Sequence, residues 1–297
     1  TGPPRPPRPG WALAPALPPF GVGAPPSARA APAADVAFTF TDPAIVESSG
    51  LAVVGDHVVT TNDSGDTARV FTIDPASGDT VGVTTWGSEA VDVEALAPAG
   101  PGHVWVADVG DNRRTREEVL VARVPVGPGV RQVEAPTYRL RLPEGAADVE
   151  TLLAHPATGR LLLVTKSVFA GRVLLAPDTL ASDTLAADEV NELSEVGSVA
   201  GIVTDGTFLP DGRHIVLRTY TDALLYSYPD FELIERWELP AQSQGEGIAV
   251  DGARLLLSTE GAHSDVLAVP VPPVAAARTA AAETITLLRR ALYPHLP

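Results

Sequence analysis

Short apolar runs separated by Gly, Asp and Pro turns fill the middle of the chain, and their order repeats. GLAVV, HVVTTNDSGD, ARVFTID and DTVGVTTW follow one another over residues 50–86. EALAP, HVWVADVGDN, EVLVARV and PTYRLRL do so over 94–142. ETLLAHPATG, RLLLVTK, RVLLA and a degenerate fourth segment occupy 150 to about 195. GTFLPDGRH, HIVLRTY, ALLYSY and ELIERWEL occupy 206–239, and EGIAVDG, RLLLSTEG and DVLAVPV occupy 246–271. Each run has strand length and β-branched or Leu character, and each break carries turn residues. Four such strands recurring at a spacing of roughly 45–55 residues predict an all-β fold, a β-propeller with one unit per blade.

The fifth unit holds three strands, while an orphan run, VAFTF at 36–40, precedes the first. A strand supplied from the N-terminal side would complete that blade and cover its open edge. Counted this way the propeller has five blades. A sixth would have to fit between residues 176 and 199, which is a short stretch for four strands.

The ends read differently. Residues 1–34 hold eleven prolines among Gly, Ala and Arg, a composition that supplies neither ladder donors nor helix, and predict a disordered or polyproline arm. The propeller is expected over 35–272. Residues 273–297 read as a helical tail: 274–292 is Ala-rich, then carries Ile285, Leu287, Leu288 and Leu292, and Pro294 ends it.

Composition narrows the function. With 37 acidic and 21 basic residues the net charge is −16, the wrong field for nucleic acid and a favourable one for cations. The absence of Cys excludes disulfides and thiolate metal sites. No apolar run is long enough to span a bilayer. The sequence also lacks Met, even at position 1, and is read as trimmed, with any signal peptide already removed. These features fit a secreted or extracytoplasmic protein, expected to be a monomer.

In a propeller the loops entering the first strand and leaving the second strand of every unit open on one face. Polar residues recur at both phases. Glu47 and Ser49, Asp92 and Glu94, Asp148 and Glu150, Thr204 and Asp205, and Glu246 precede or begin the first strands. Asn62, Asp63 and Asp66, Asp108, Asp111 and Asn112, Lys166, Arg218 and Glu260 follow or end the second. Sheet packing does not ask for charge there, and burying such a ring is costly unless the charges pair or hold an ion. Glu47, Asp63, Glu94, Asp108, Asp111, Glu150, Glu246 and Glu260 are therefore candidate ligands for a hard cation, Ca²⁺ being served by carboxylates, Asn oxygens and backbone carbonyls. Lys166, the single lysine beside twenty arginines, is with Arg218, Tyr220 and Arg113 a candidate for an anionic ligand group. Two plainer readings stand beside these. NDSGD (62–66) and DVGDN (108–112) have the composition of ordinary turns, and the charged ring can close on itself, for instance Lys166 with Glu150, as a salt-bridged plug.

His57, His103 and His214 fall at the turns between first and second strands, on the other face, where turn-capping is their expected role. No metalloprotease H-E-x-x-H, hydrolase G-x-S-x-G or P-loop motif occurs.

The motifs E-S-S-G-L-A (47–52), N-D-S-G-D (62–66), D-V-E-A-L-A (92–97), V-G-D-N-R-R (109–114), D-V-E-T-L (148–152), T-K (165–166), V-T-D-G (203–206), L-R-T-Y (217–220) and G-E-G-I-A (245–249), taken in series, resemble those of secreted bacterial β-propellers labelled WD40-like or TolB-like. G-E-G-I-A followed by S-T-E-G (258–261) is also similar to a pattern in β-propeller phytases and esterase-like propellers. That resemblance implies Ca²⁺ at Glu246 and Glu260 and phosphate binding at Lys166. Where the phytases have D-D-P-A-I-W, this chain has T-D-P-A-I-V (41–46).

Three functions are thus expected: a propeller binding a small anionic or carbohydrate-like ligand with Ca²⁺ at the charged mouth, a Ca²⁺-dependent phosphoester hydrolase, or a protein-interaction scaffold with a salt-bridged channel.

Overall fold

In the computed structural model, residues 33–63, 65–87, 90–178 and 189–271 are described. The Pro-rich arm up to residue 32 and the helix expected over 274–292 lie outside them. Among the described residues every regular element is a β-strand, and the strands form five sheets.

After β1 (Asp35–Thr39), the first blade runs β2 (Ser48–Val54), β3 (His57–Asn62), β4 (Arg69–Ile73) and β5 (Thr80–Trp86). The second runs β6 (Val93–Pro98), β7 (His103–Asp108), β8 (Glu118–Pro125) and, after β9 (Gly129–Val133), β10 (Thr137–Arg141). The third comprises β11 (Val149–Ala154), β12 (Leu161–Thr165), β13 (Ala170–Leu175) and, beyond β14 (Val190–Glu192), β15 (Ser194–Ala200). The fourth holds β16 (Val203–Phe208), β17 (His214–Thr219), β18 (Asp222–Ser227) and β19 (Leu233–Glu238). The fifth holds β20 (Gly245–Asp251), β21 (Arg254–Thr259) and β22 (Asp265–Pro270), with β1 antiparallel to β22 on its outer edge.

The first strand of each unit is innermost. β2, β6, β11, β16 and β20 touch one another in cyclic order, β20 returning to β2. The apolar side chains gather in five clusters, one between each pair of neighbouring blades. Phe38, Phe40 and Ile45 join the cluster between the fifth and first blades, packing on Phe71, Ile73 and Leu256. A strand near the axis is therefore covered on both faces and is apolar or small along its buried length, as in Leu161–Thr165 of β12 and residues 255–259 of β21. A strand at the rim alternates, as Thr137–Arg141 does. This gradient explains why the inner repeats were easy to read in sequence.

Two features depart from the simple repeat. β9 leaves the second unit to pair parallel with β5 of the first blade, and β14 pairs parallel with β10 of the second. Each carries the chain back onto the edge of the preceding blade and covers it. GVRQV is short and largely exposed, and VNE is only three residues long, so neither carries strand periodicity in sequence. The degenerate segment of the third unit resolves into β14 and β15, and its last strand runs on to Ala200, past the expected limit near 195.

Candidate functional site

Every inner strand carries one extra residue at the same height. In β6 the register passes from Val93↔Asp108 to Ala95↔Ala107, which leaves Glu94 as the insertion. In β11 it passes from Val149↔Thr165 to Thr151↔Val164 around Glu150, and in β16 from Val203↔Thr219 to Asp205↔Arg218 around Thr204. In β2, Ser49 and Gly50 oppose Thr61 alone, and in β20, Glu246 and Gly247 oppose Ser258 alone. A β-bulge releases its residue from the ladder and re-aims its side chain. Five bulges in phase thus set Ser49, Glu94, Glu150, Thr204 and Glu246 around one mouth of the channel, and all five are buried.

The ends of the second strands form the next tier. The backbone N–H groups of Asp63, Val109, Lys166 and Glu260 donate to the carbonyls of Glu47, Asp92, Asp148 and Gln244, at 2.9 to 3.0 Å. Hydroxyls of the ring also tie one blade to the next. Ser49 Oγ lies 2.8 Å from the Glu94 carbonyl and 3.1 Å from its carboxyl Oε2. At the same position in the fourth blade, Thr204 Oγ1 lies 3.2 Å from the Glu246 carbonyl.

The mouth has two halves. In one, Asp63, Asp92 and Glu94 bring a carboxylate oxygen each to within 4.8 Å of one another. Gly110 makes this approach feasible: a Cβ there would stand 2.5 Å from both Asp92 Oδ2 and Glu94 Oε1. The cost is electrostatic. Burial, then repulsion from Glu150, Asp63 and Asp92, pushes Glu94 up to about 10. Burial and neighbouring Asp63 raise Asp92 to about 6. Glu260 is also raised, first by burial and then by Asp63 and Glu47.

The other half is built on Lys166. Its Nζ stands 3.0 Å from Glu150 Oε1 and 5.5 Å from the centre of the Tyr220 ring. Burial works against the ammonium, but Glu150 and then Tyr220 more than offset it and raise the lysine. Burial still dominates at Glu150, raised to about 8 despite Lys166, and at Glu246, raised to about 7.

The remaining expected site residues have other duties. Asp108 accepts Val91 N–H and Asp92 N–H at 3.0 Å each and pairs with Arg116 at 2.9 Å. Asp111 closes its own turn by accepting from the backbone of Thr115 and Arg116, while Arg116 also donates to the carbonyls of Gly110 and Asp108. The DVGDN loop is thus a clasped turn that presents Gly110, and its two aspartates do not join the carboxylate cluster. Arg113 is exposed on that loop, and it is Arg116 that the loop is folded around.

Arg218 is fully buried and donates to the carbonyls of Gly247 at 2.6 Å and Ser258 at 2.7 Å and to Gln242 Oε1 at 2.6 Å. It is a strut from the fourth blade to the fifth. Burial lowers it to about 10. Asp205, equally buried, accepts Ile248 N–H at 2.9 Å. Glu47 is half-buried at the rim. Asp92 was not among the expected cation ligands, although D-V-E recurs at 92–94 and 148–150.

His57, His103 and His214 begin β3, β7 and β17, at the opposite mouth. His214 Nδ1 is 2.7 Å from Asp211 Oδ2, within its own turn.

No protein-family model matches the sequence, and no curated protein matches it. Among solved structures the chain is similar to glutaminyl cyclase of Myxococcus xanthus, with a TM-score of 0.50 and 11% identity over 84% of this chain and 100% of that one. A gluconolactonase of Xanthomonas campestris gives a TM-score of 0.45 and 13% identity over 84% of this chain and 99% of that one. The likeness to the cyclase is one of fold. Among the described residues, no helix is long and apolar enough to cross a membrane.

Proposed function

We propose that the acidic mouth binds a divalent cation, Ca²⁺ being the fitting ion, and with it a small anionic or carbohydrate-like ligand. The observation that carries this reading is the approach of Asp63, Asp92 and Glu94 to within 4.8 Å over a glycine that admits no side chain. Oxygens sharing one Ca²⁺ at about 2.4 Å lie at most about 5 Å apart, so the cluster has the span a single ion requires. Like charges held this close repel unless protons or a cation intervene, and after burial that repulsion is what raises Glu94 and Asp92. A bound ion would leave sides open to water or ligand oxygens, and Lys166 beside Tyr220 supplies a positive, partly exposed anchor across the mouth. An extracytoplasmic setting suits this reading, because open sites of few carboxylates are weak and extracellular modules work at about 10⁻⁴–10⁻³ M Ca²⁺. The motifs shared with TolB-like and phytase-like propellers support the same setting.

The test is calorimetric titration of the EDTA-treated protein with CaCl₂, alongside its melting curve. Heat and a higher melting temperature are expected, both lost in Asp92→Asn and Glu94→Gln. Absence of heat and of any thermal shift in the native sequence overturns the reading and leaves the salt-bridged scaffold.

A second reading, phosphoester hydrolysis, is favoured by one observation. Glu246, raised to about 7, is poised to exchange a proton at neutral pH near Lys166. A phosphoester panel with and without Ca²⁺, on the native chain and Glu246→Gln, decides it. Turnover that needs both the ion and Glu246 supports hydrolysis, and no turnover leaves binding alone.

A further inference from the structure

The inner strands run from the acidic mouth to an opposite mouth of different chemistry. There the strand ends, among them Val53, Pro98, Ala154 and Val250, rim a cavity of about 540 Å³, within the range of small-molecule sites. Its wall is mostly aliphatic and aromatic and contains no carboxylate. This is a sharp contrast in a chain of net charge −16 whose other mouth concentrates acids.

Arg123 brings the fixed positive charge to that wall. It pairs with Trp105 across β7 and β8, and both side chains line the cavity. Its Nε and one terminal nitrogen reach the Ala99 carbonyl at 3.4 and 3.1 Å, which holds the guanidinium at the rim. On the far side stand Phe208 and His155, their ring centres 5.1 Å apart, with Tyr228 packed on both. His155 Nδ1 accepts the N–H groups of Ala157 and Thr158 at 3.2 Å, so the imidazole serves as a fixed part of the wall. The arrangement is a concave apolar surface with one anchored cation at its edge.

We propose that this second mouth is a binding site for a small organic anion with an apolar body, its charged group on Arg123 and its body against Trp105 and Phe208. A half-buried guanidinium facing a carboxylate or sulfonate makes charge-assisted hydrogen bonds stronger than neutral ones, while the walls desolvate the body. The site is independent of the cation reading.

The test titrates the full chain with 1-naphthoate and, as a neutral control, 1-naphthalenemethanol, reading heat and tryptophan fluorescence. Naphthoate is expected to bind at least tenfold more tightly than the alcohol. Arg123→Met should remove that preference and leave alcohol binding unchanged, and Ala154→Leu, which fills the rim away from Arg123, should weaken both. Glu94→Gln, at the other mouth, should change neither. The proposal is overturned if naphthoate does not bind, if Arg123→Met keeps the preference, or if Glu94→Gln alone abolishes binding. Should Arg123→Met fail to fold, Ala154→Leu decides between this cavity and any other site.

Discussion

Lys166 Nζ lies 3.0 Å from Glu150 Oε1, and the carboxylate it neutralises is only 4% exposed. The pair stands where two acidic tiers meet, so the lysine offsets repulsion from Glu246 as well. Removing one partner of a buried pair strands the other charge. Above about pH 8, where Glu150 is ionised, Lys166→Met is expected to destabilise the propeller by about 3 kcal/mol, the lower end of the range for buried pairs because the lysine is partly exposed. Lys166→Met with Glu150→Gln should cost less than the sum of the two single changes. Chemical denaturation of the four proteins measures the coupling.

Stability without a cation should fall as pH rises. Glu94, Glu150 and Glu246 are raised to about 10, 8 and 7 in the folded state, against an ordinary glutamate near 4.3 when unfolded. Between those values the folded state holds more protons, so raising the pH favours unfolding. The melting temperature in EDTA should therefore decline from about pH 5 towards pH 9. Glu94→Gln should flatten the decline, and Ca²⁺ should oppose it. A melting temperature that rises over this window contradicts the arrangement.

Gly110→Ala separates the site from the fold. The new methyl would meet Asp92 and Glu94 carboxylate oxygens at 2.5 Å, and side-chain ends move more cheaply than backbone. Ca²⁺ affinity should drop by about tenfold or more, while the melting temperature in EDTA changes little. Calorimetry and thermal denaturation of the same sample read both.

Arg218 is expected to matter for stability rather than for ligand. Its substitution by Met leaves the carbonyls of Gly247 and Ser258 without these donors in a buried interface, at about 1–3 kcal/mol for each unsatisfied group. Gly245→Ala should be similarly damaging, because its Cβ would overlap the Arg218 guanidinium. Both effects should appear in denaturation curves and be no different with Ca²⁺ present.

Phe40, just past the outer strand of the fifth blade, tests its seam with the first. It is fully buried between the fifth and first blades, and Phe→Ala in such a place costs about 3–5 kcal/mol. A single cooperative transition at lower denaturant is expected, since the interface it fills belongs to two blades.

Much of this molecule was legible in order along the chain. Stretches such as residues 104–107 of β7 and Leu161–Thr165 announce themselves because burial on both faces demands unbroken apolar or small residues, and the repeated units carried the blade count. The recurring acids at 47, 94, 150 and 246 marked one mouth, for strand direction alone decides which ends of the repeats share a face. Sequence left open which of those acids meet. Asn62 and Asp108 end equivalent strands and are both spent on backbone N–H groups, Asp108 on Arg116 as well, whereas Asp63, one residue further on, joins Asp92 and Glu94. Arg218 lies within β17 and Lys166 just past the end of β12, and the first became a strut while the second faces the mouth. These choices rest on a one-residue bulge, on the absence of a side chain at Gly110 and on which carbonyls an adjacent blade presents. All three are relations between residues far apart in sequence, and short-range hydrogen bonding and steric contact fix them only once the ring has formed.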